Sequence, residues 1–450
     1  MPNDPIKHVI VLMLENNSFD HILGSLTQIK PIDGVPSNFP RANNYCNKIY
    51  TQTTTNSSVV SPDPKHDLKD TLTQIEKDEK GIEMGGFVKN YAESYKDKIQ
   101  TAQFGQVMNY YALNGLPVMH QLASQFTICD HWFSSLPGPT WPNRLFAMSG
   151  TSLGRTTMPS GIMDLNLHFY DQPTLFDRLD EKQLIWKVYF GDIPVSLVLA
   201  HQWAPQNVVR HRPLLELYDD FKKESEVPNF VWIEPSYMPP TGNDYHPPHN
   251  VFRGEKLVAD VYNALRANEE LWNSSLFVVL FDEHGGFYDH LPPPTAIPPD
   301  DNHEEWTFNQ LGVRVPAILV SPWVGNGVIS DVFDHTSLLR YLTDKWGLGP
   351  LGARTANAKS FASVILSTCR TDTPKQLSVP TIEETQVIPE EMTEHEKALV
   401  SLSQLLESKA GEDASVIAQR SMQVLEGPSG QIKVALNRVE GFLHNQTSKI

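Results

Sequence analysis

The stretch that decides the fold is 8-HVIVLMLENNSFD-20, in which an apolar run stops abruptly at Glu15 and Asn16. A short run rich in Val, Ile and Leu, closed by polar residues, reads as a buried strand. Residues 185–190, 230–233, 276–281 and 317–320 have the same character, and helical spacing intervenes at 257–271 and 336–346. Strands alternating with helices predict an α/β protein with a mostly parallel sheet covered by helices. Ligands of such sheets bind beyond the carboxyl ends of the strands. Two of these ends are acidic or amide-bearing: Glu15-Asn16 after the first run and Asp282-Glu283 after 276–281.

The bulk composition narrows the function classes. A chain of 450 residues, 40% hydrophobic and 20% charged, is that of an ordinary globular protein. A formal net charge of −17 repels a phosphate backbone, so nucleic acid is not an expected partner. Three scattered cysteines, Cys46, Cys129 and Cys369, form no CxxC and suggest no disulfide framework. No stretch approaches the roughly 18 apolar residues needed to span a bilayer. The first apolar run is too short, and ends too soon in Glu15, for a classical signal peptide. The expected location is therefore cytoplasmic, or outside the cell by a specialised, non-classical secretion route.

Two segments read as additions to the sheet. Residues 33–65, rich in Pro, Asn, Ser and Thr, predict a long surface excursion. The proline-rich 292–310 excludes regular structure and predicts a rim or lid. From about residue 390 prolines become few and helical spacing returns in 390–410, 414–427 and 432–445. Residues 1–385 accordingly read as one domain and 386–450 as a helical C-terminal extension, packing on the main core.

Cleaving a phosphoester requires positive charge to offset repulsion of the nucleophile, and an acid to protonate the leaving oxygen. The acidic strand ends could hold a divalent cation through oxygen donors. Between them lies GPTWPNR, 138–144, where prolines stiffen the turn bearing Thr140, and where Asn143 and Arg144 could donate to phosphoryl oxygens. Several of the 16 histidines sit in acidic or Pro/Gly-rich turns: His66, His246, His249, His290 and His335. Gly285 and Gly286 let the chain turn sharply after Asp282-Glu283. No HExxH, GxSxG, Walker A or GxGxxG motif competes with this reading.

Six blocks, in order, resemble the bacterial phosphoesterase family that contains phospholipases C and an acid phosphatase. They are HVIVLMLENNSFDHILG (8–24), DHWFSSLPGPTWPNRLFAMSGTS (130–152), IEPSYMPPTGNDYHPPHN (233–250), FDEHGGFYDHLPPP (281–294), GVRVPAILVSPWV (312–324) and FDHTSLLRYL (333–342). The resemblance implies an alkaline-phosphatase-like fold and a catalytic domain over 1–385. It implies one metal ion held by Glu15, Asn16, Asp282 and Glu283 together with Thr140, which is also the nucleophile. It places His246 and His66 at the phosphoryl group, His246 being the first candidate for general acid, with Asn143 near the phosphoryl oxygens. His290 and His335 are expected to orient other residues.

Zinc is the preferred ion, although an all-oxygen donor set also suits calcium, magnesium or manganese. The expected reaction is phospholipase C cleavage of a glycerophospholipid such as phosphatidylcholine, with transient contact at a membrane surface. Trp132, Phe133, Trp141, Phe287, Tyr288 and Trp323 are candidates for an apolar mouth, or for core. The alternatives are an acid phosphatase acting on monoesters and, more remotely, an inactive protein that binds phosphorylated ligands. A sulfatase would need Cys or Ser where Thr140 stands. The helical tail departs from the β-rich C-terminal domains of many family members.

Overall fold

The computed structural model describes residues 4–36, 38–303, 305–382, 391–410 and 427–450. The strands of its central sheet are β1 (His8–Leu14), β2 (Thr127–Cys129), β3 (Trp186–Phe190), β4 (His211–Pro213), β5 (Phe230–Glu234), β6 (Ser275–Phe281), β7 (Ala317–Val320) and β8 (Val328–Ile329). They lie in the order β8-β2-β7-β6-β1-β5-β3-β4. β1 is central and pairs in parallel with β6 (His8 opposite Ser275 through Leu14 opposite Phe281) and with β5 (Val9 opposite Phe230). Only β7 runs against its neighbours β6 and β2. The carboxyl ends of the other seven strands therefore share one edge. Every residue of β1 and β6 is buried, as expected of strands covered on both faces.

Helices cover the sheet: α1 (Thr140–Ser149), α2 (Val251–Ala267), α3 (His335–Trp346), α4 (Glu394–Ala410) and α5 (Gly427–Thr447), with several shorter ones. The helix expected at 257–271 is two: α2 ends at Asn268, whose side chain caps a second helix, Glu269–Trp272. In the C-terminal region α4 and α5 agree with the expected helical character; most of 414–427 lies outside the described residues. Leu399, Leu402 and Leu406 of α4 and Ala435, Val439 and Phe442 of α5 join the same apolar core as β1 and β6. A buried pair, Arg438 Nε to Glu407 Oε2 at 2.7 Å, ties α5 to α4.

Residues 33–65 are not a mere surface excursion. They form a hairpin (Ala42–Tyr45 with Lys48–Thr51) whose Tyr45 and Tyr50 pack on a second apolar cluster around Phe87, Tyr91 and Met108. Asn43 and Gln52 are buried, and Gln52 Nε2 donates to Asp20 Oδ2 at 3.0 Å. Most polar residues of the segment are exposed, as expected, while Asn43, Asn44 and Gln52 are buried and hydrogen-bonded. Among the described residues, 292–310 contain no helix or named strand, and Phe308 packs against Leu136 and Phe146. The three cysteines are free, and no described helix is long and apolar enough to cross a membrane.

Candidate active site

The parallel pairing of β1 with β6 makes their ends neighbours. Leu14 lies opposite Phe281, so Glu15-Asn16 and Asp282-Glu283 leave the sheet side by side. Backbone bonds weld the two ends together: Asp282 N–H donates to Leu14 O at 3.1 Å, and Asn17 N–H to Glu283 O at 3.0 Å. Asp282 Oδ1 accepts the N–H of Asn16 (3.2 Å) and of Glu283 (2.7 Å). Asn16 adopts φ 56°, a left-handed conformation asparagine tolerates. Gly285 lies at φ 63°, and a Cβ there would stand 2.2 Å from Asn16 O. Only glycine permits this close turn.

Thr140 opens α1 and is buried, at the end of a helix where backbone N–H groups lack intrahelical acceptors. Arg144, one turn later on the same face, reaches the strand ends. Its Nε donates to Asp282 Oδ2 at 3.0 Å, Nη2 donates to Met13 O at 3.1 Å, and Nη2 lies 3.1 Å from Glu15 Oε1. Residues four apart on a helix are neighbours, so Thr140 lies beside Arg144, whose long side chain extends to Glu15 and Asp282. Arg144 thus ties the strand ends together, while its Nη1 makes no hydrogen bond. Asn143 is held by the backbone around it. Its amide donates to Gly138 O (2.9 Å) and Pro139 O (3.2 Å) and accepts Leu136 N–H (3.2 Å), bracing the turn before Thr140.

Two imidazoles flank this group. His66 Nδ1 bonds Pro64 O at 2.8 Å, and its Nε2 lies 3.1 Å from Asn16 Nδ2 and 3.9 Å from Glu283 Oε1. His246 Nδ1 bonds Pro247 O at 2.5 Å, and its Nε2 lies 4.0 Å from Asp63. With Nδ1–H on a carbonyl, each ring has Nε2 as its working nitrogen. The ring centroids are 5.8 Å apart. Burial acts against charge on His66, yet Glu283, Asp63 and Asp67 hold its pKa up at about 9. Burial, then His66 and His249, push His246 well down. The two rings thus depart in opposite directions from the ordinary imidazole value.

The other histidines act at a remove. His335 Nε2 bonds Asp282 O at 2.6 Å, as an orienting residue should. His290 belongs to a separate cluster with Asp20, Asp33 and Arg314. Of the aromatic candidates for a mouth, Trp132, Phe133, Trp141, Phe287 and Tyr288 are buried, and Trp323 packs against the core. They fill the interior instead of lining an entrance.

Unsatisfied oxygens test whether the group fits a cation. Glu15 Oε1, Asn16 Oδ1 and Glu283 Oε1 are buried and make no hydrogen bond. An orphaned buried oxygen costs about 1–3 kcal/mol, more when charged. Burial, offset in part by Arg144, drives the Glu15 and Asp282 carboxyls well above their usual range. Buried carboxylate and amide oxygens without a hydrogen bond suit a hard divalent ion. Among the described residues, however, the group of three His, Cys, Asp or Glu ligand atoms lying within 4.8 Å of one another is Asp20, Asp289 and His290. There Arg314 Nε already bonds Asp289 Oδ1 at 2.9 Å and Nη2 bonds Asp20 Oδ1 at 3.1 Å, so the positive charge is built in.

The sequence reading missed the contribution of α4. His395 Nδ1 bonds Glu15 Oε2 at 2.7 Å, with both side chains buried. Thr393 and Glu396 form a reciprocal cap: Glu396 N–H donates to Thr393 Oγ1 at 3.1 Å, and Thr393 N–H to Glu396 Oε2 at 2.8 Å. This T-x-x-E signature was the available signal, marking where the helix starts though not what it touches.

The Phosphoesterase family profile matches residues 6–349. The chain is 34% identical to "Non-specific phospholipase C4" of Arabidopsis thaliana, over 84% of this chain and 75% of that protein. It is 37% identical to "Non-specific phospholipase C6" of the same plant, over 83% and 75%. It is 30% identical to "Non-hemolytic phospholipase C" of Pseudomonas aeruginosa, over 76% and 54%. A solved alkaline phosphatase superfamily protein from Vibrio parahaemolyticus shares 12% identity, with 56% of this chain and 65% of that one covered and a TM-score of 0.35, too remote to bear on the site. By the profile and these relatives, the chain belongs to the Phosphoesterase family and is a phosphoric ester hydrolase.

Proposed function

We propose that the protein is a metal-dependent phospholipase C that cleaves the phosphodiester of glycerophospholipids, phosphatidylcholine among them, with Thr140 as nucleophile. The observation that carries the mechanism is the set of buried oxygens without a hydrogen bond, Glu15 Oε1, Asn16 Oδ1 and Glu283 Oε1, at strand ends tied by Arg144 to the helix that Thr140 opens. Glu15, Asn16, Asp282, Glu283 and Thr140 would hold the ion, which when bound polarises a phosphoryl oxygen and favours the threonine alkoxide. Zinc heads the candidates, ahead of calcium, magnesium and manganese.

The Thr140 oxygen attacks phosphorus in line, its bond to phosphorus forming as that to the leaving alcohol breaks. The His66–His246 pair takes up the threonine proton and delivers a proton to the alcohol oxygen. Water then attacks the phosphothreonine, passing its proton to the same pair, and the Thr140 oxygen leaves and is reprotonated. Asn143 holds the turn that aims Thr140, and Arg144 keeps Glu15 and Asp282 together.

Lipid as substrate is supported by the relatives named phospholipase C. A surface feature adds to it. Trp141 N–H donates to Met158 Sδ at 3.4 Å, and the short helix that follows, Ile162–Leu167, leaves Met163 and Leu167 each 76% exposed. Exposed apolar side chains on such a helix suit transient contact with a lipid surface.

Thr140→Ala should lower turnover by about a thousandfold or more. The assay compares a choline phospholipid with an aryl phosphate monoester, before and after chelation. Near-normal turnover by the variant would remove Thr140 as nucleophile; turnover that survives chelation would remove the metal. Preference for the monoester would make the enzyme an acid phosphatase.

A further inference from the structure

Three consecutive residues in the first turn of α4 each touch a different part of the site. Glu394 pairs with Lys65 at 3.0 Å, next to His66. His395 bonds Glu15. Glu396 lies 3.7 Å from His249 Nε2, in the loop that carries His246. The Thr393–Glu396 cap fixes the helix start, and so which residue faces Glu15. The His395 ring is confined as well, edge-on to Trp141 with centroids 6.5 Å apart and 4.7 Å from the ring of Tyr237.

Glu15 is buried on every side, so no solvent is at hand to hold its carboxylate. Its two oxygens have different fates: Oε2 accepts from His395, whereas Oε1 makes no hydrogen bond, though Arg144 Nη2 stands 3.1 Å away. A carboxylate held by one oxygen keeps a single orientation, and presents the other without further ordering cost.

We propose that the helical C-terminal region is part of the catalytic apparatus, with His395 a positioning residue that holds Glu15 Oε2 so that Oε1 faces the cation. This rests on the reading of Glu15 as a cation ligand, and the test separates the two. Mn²⁺ is titrated calorimetrically into metal-stripped, full-length protein. His395→Ala should weaken Mn²⁺ binding by about 10–100-fold, the usual effect of losing a partner of a metal ligand. The Mn²⁺ needed for half-maximal activity should rise in step, with kcat at saturating Mn²⁺ less affected. His395→Asn, whose amide nitrogen can replace Nδ1, should recover most of the affinity, whereas His395→Gln should not.

Unchanged Mn²⁺ affinity in His395→Ala overturns the proposal. Should that variant fail to fold, equal affinity of the Asn and Gln variants overturns it instead. Glu15→Ala serves as the control. If it too binds Mn²⁺ normally, Glu15 is not a ligand and the underlying reading fails. If Glu15→Ala loses Mn²⁺ and His395→Ala does not, only the role of His395 fails.

Discussion

Two buried acidic clusters lie within a few residues of each other at the same strand ends, and they have opposite character. Asp20 and Asp289 are joined by Arg314, His290 and Gln52, so their charge is answered by protein donors. Glu15 meets Arg144 and His395, and Glu283 accepts from Gly285 N–H, yet Glu15 Oε1, Asn16 Oδ1 and Glu283 Oε1 each lack a hydrogen bond. Among the described residues the first cluster has three ligand atoms within 4.8 Å of one another, whereas the second keeps buried oxygens without a hydrogen bond. On the proposed reading those oxygens, and not a count of carboxylates, mark the cation site.

Substitution can break this contrast. The largest expected effect is on the cation itself. Glu283→Gln should cost at least about 100-fold in affinity, with turnover falling in parallel, because a direct donor matters at least as much as its supports. Asp20→Asn should leave metal stoichiometry unchanged, as elemental analysis would show. Loss of metal from the Asp20 variant would reverse the assignment of the two clusters.

Next in size is the stability held in the Arg314 cluster. Arg314→Met leaves Asp20 and Asp289 buried without their guanidinium and should cost about 3–5 kcal/mol in denaturant unfolding, with Mn²⁺ affinity preserved. A variant as stable as the parent would mean the ion pairs contribute little.

The smallest effect sharpens the same point through pH. Burial acts against charge on His290, but Asp20 and Asp33 hold its pKa at about 10, above the ordinary 6.5. A group raised in the folded state stabilises fully below its unfolded pKa, and that contribution fades as pH climbs through the folded value. The stability gap between parent and His290→Gln should therefore be widest near pH 6 and shrink towards pH 10. A gap that stays constant over that range would show His290 to be uncharged in the fold.

Much of the site was legible because strands announce their own ends. The runs at 8–14 and 317–320 coincide with β1 and β7, and 276–281 falls one residue short of β6. Polar residues that follow such runs in a parallel sheet must gather at one edge. Thr127–Cys129 and His211–Pro213 were not legible, being too short to carry a pattern. Nor was the direction of Asn143. It is a donor in a motif that precedes a site, but whether a donor faces ligand or backbone depends on which acceptors lie within reach. The aromatic residues of the same blocks were ambiguous for an equivalent reason, since a buried ring and a pocket ring have the same composition.

By itself, the order of residues determined the alternation of strands and helices, the family blocks, and the positions of Glu15, Asn16, Thr140, Asp282 and Glu283 at element ends. Those are local properties, set by periodicity and by where apolar runs stop. Only the tertiary structure decided which oxygens are left unpaired, that Arg314 already answers the neighbouring carboxylates, and that His395 meets Glu15 from 380 residues away. Satisfaction of a buried polar atom depends on every group within about 3 Å, and chain order does not specify that neighbourhood.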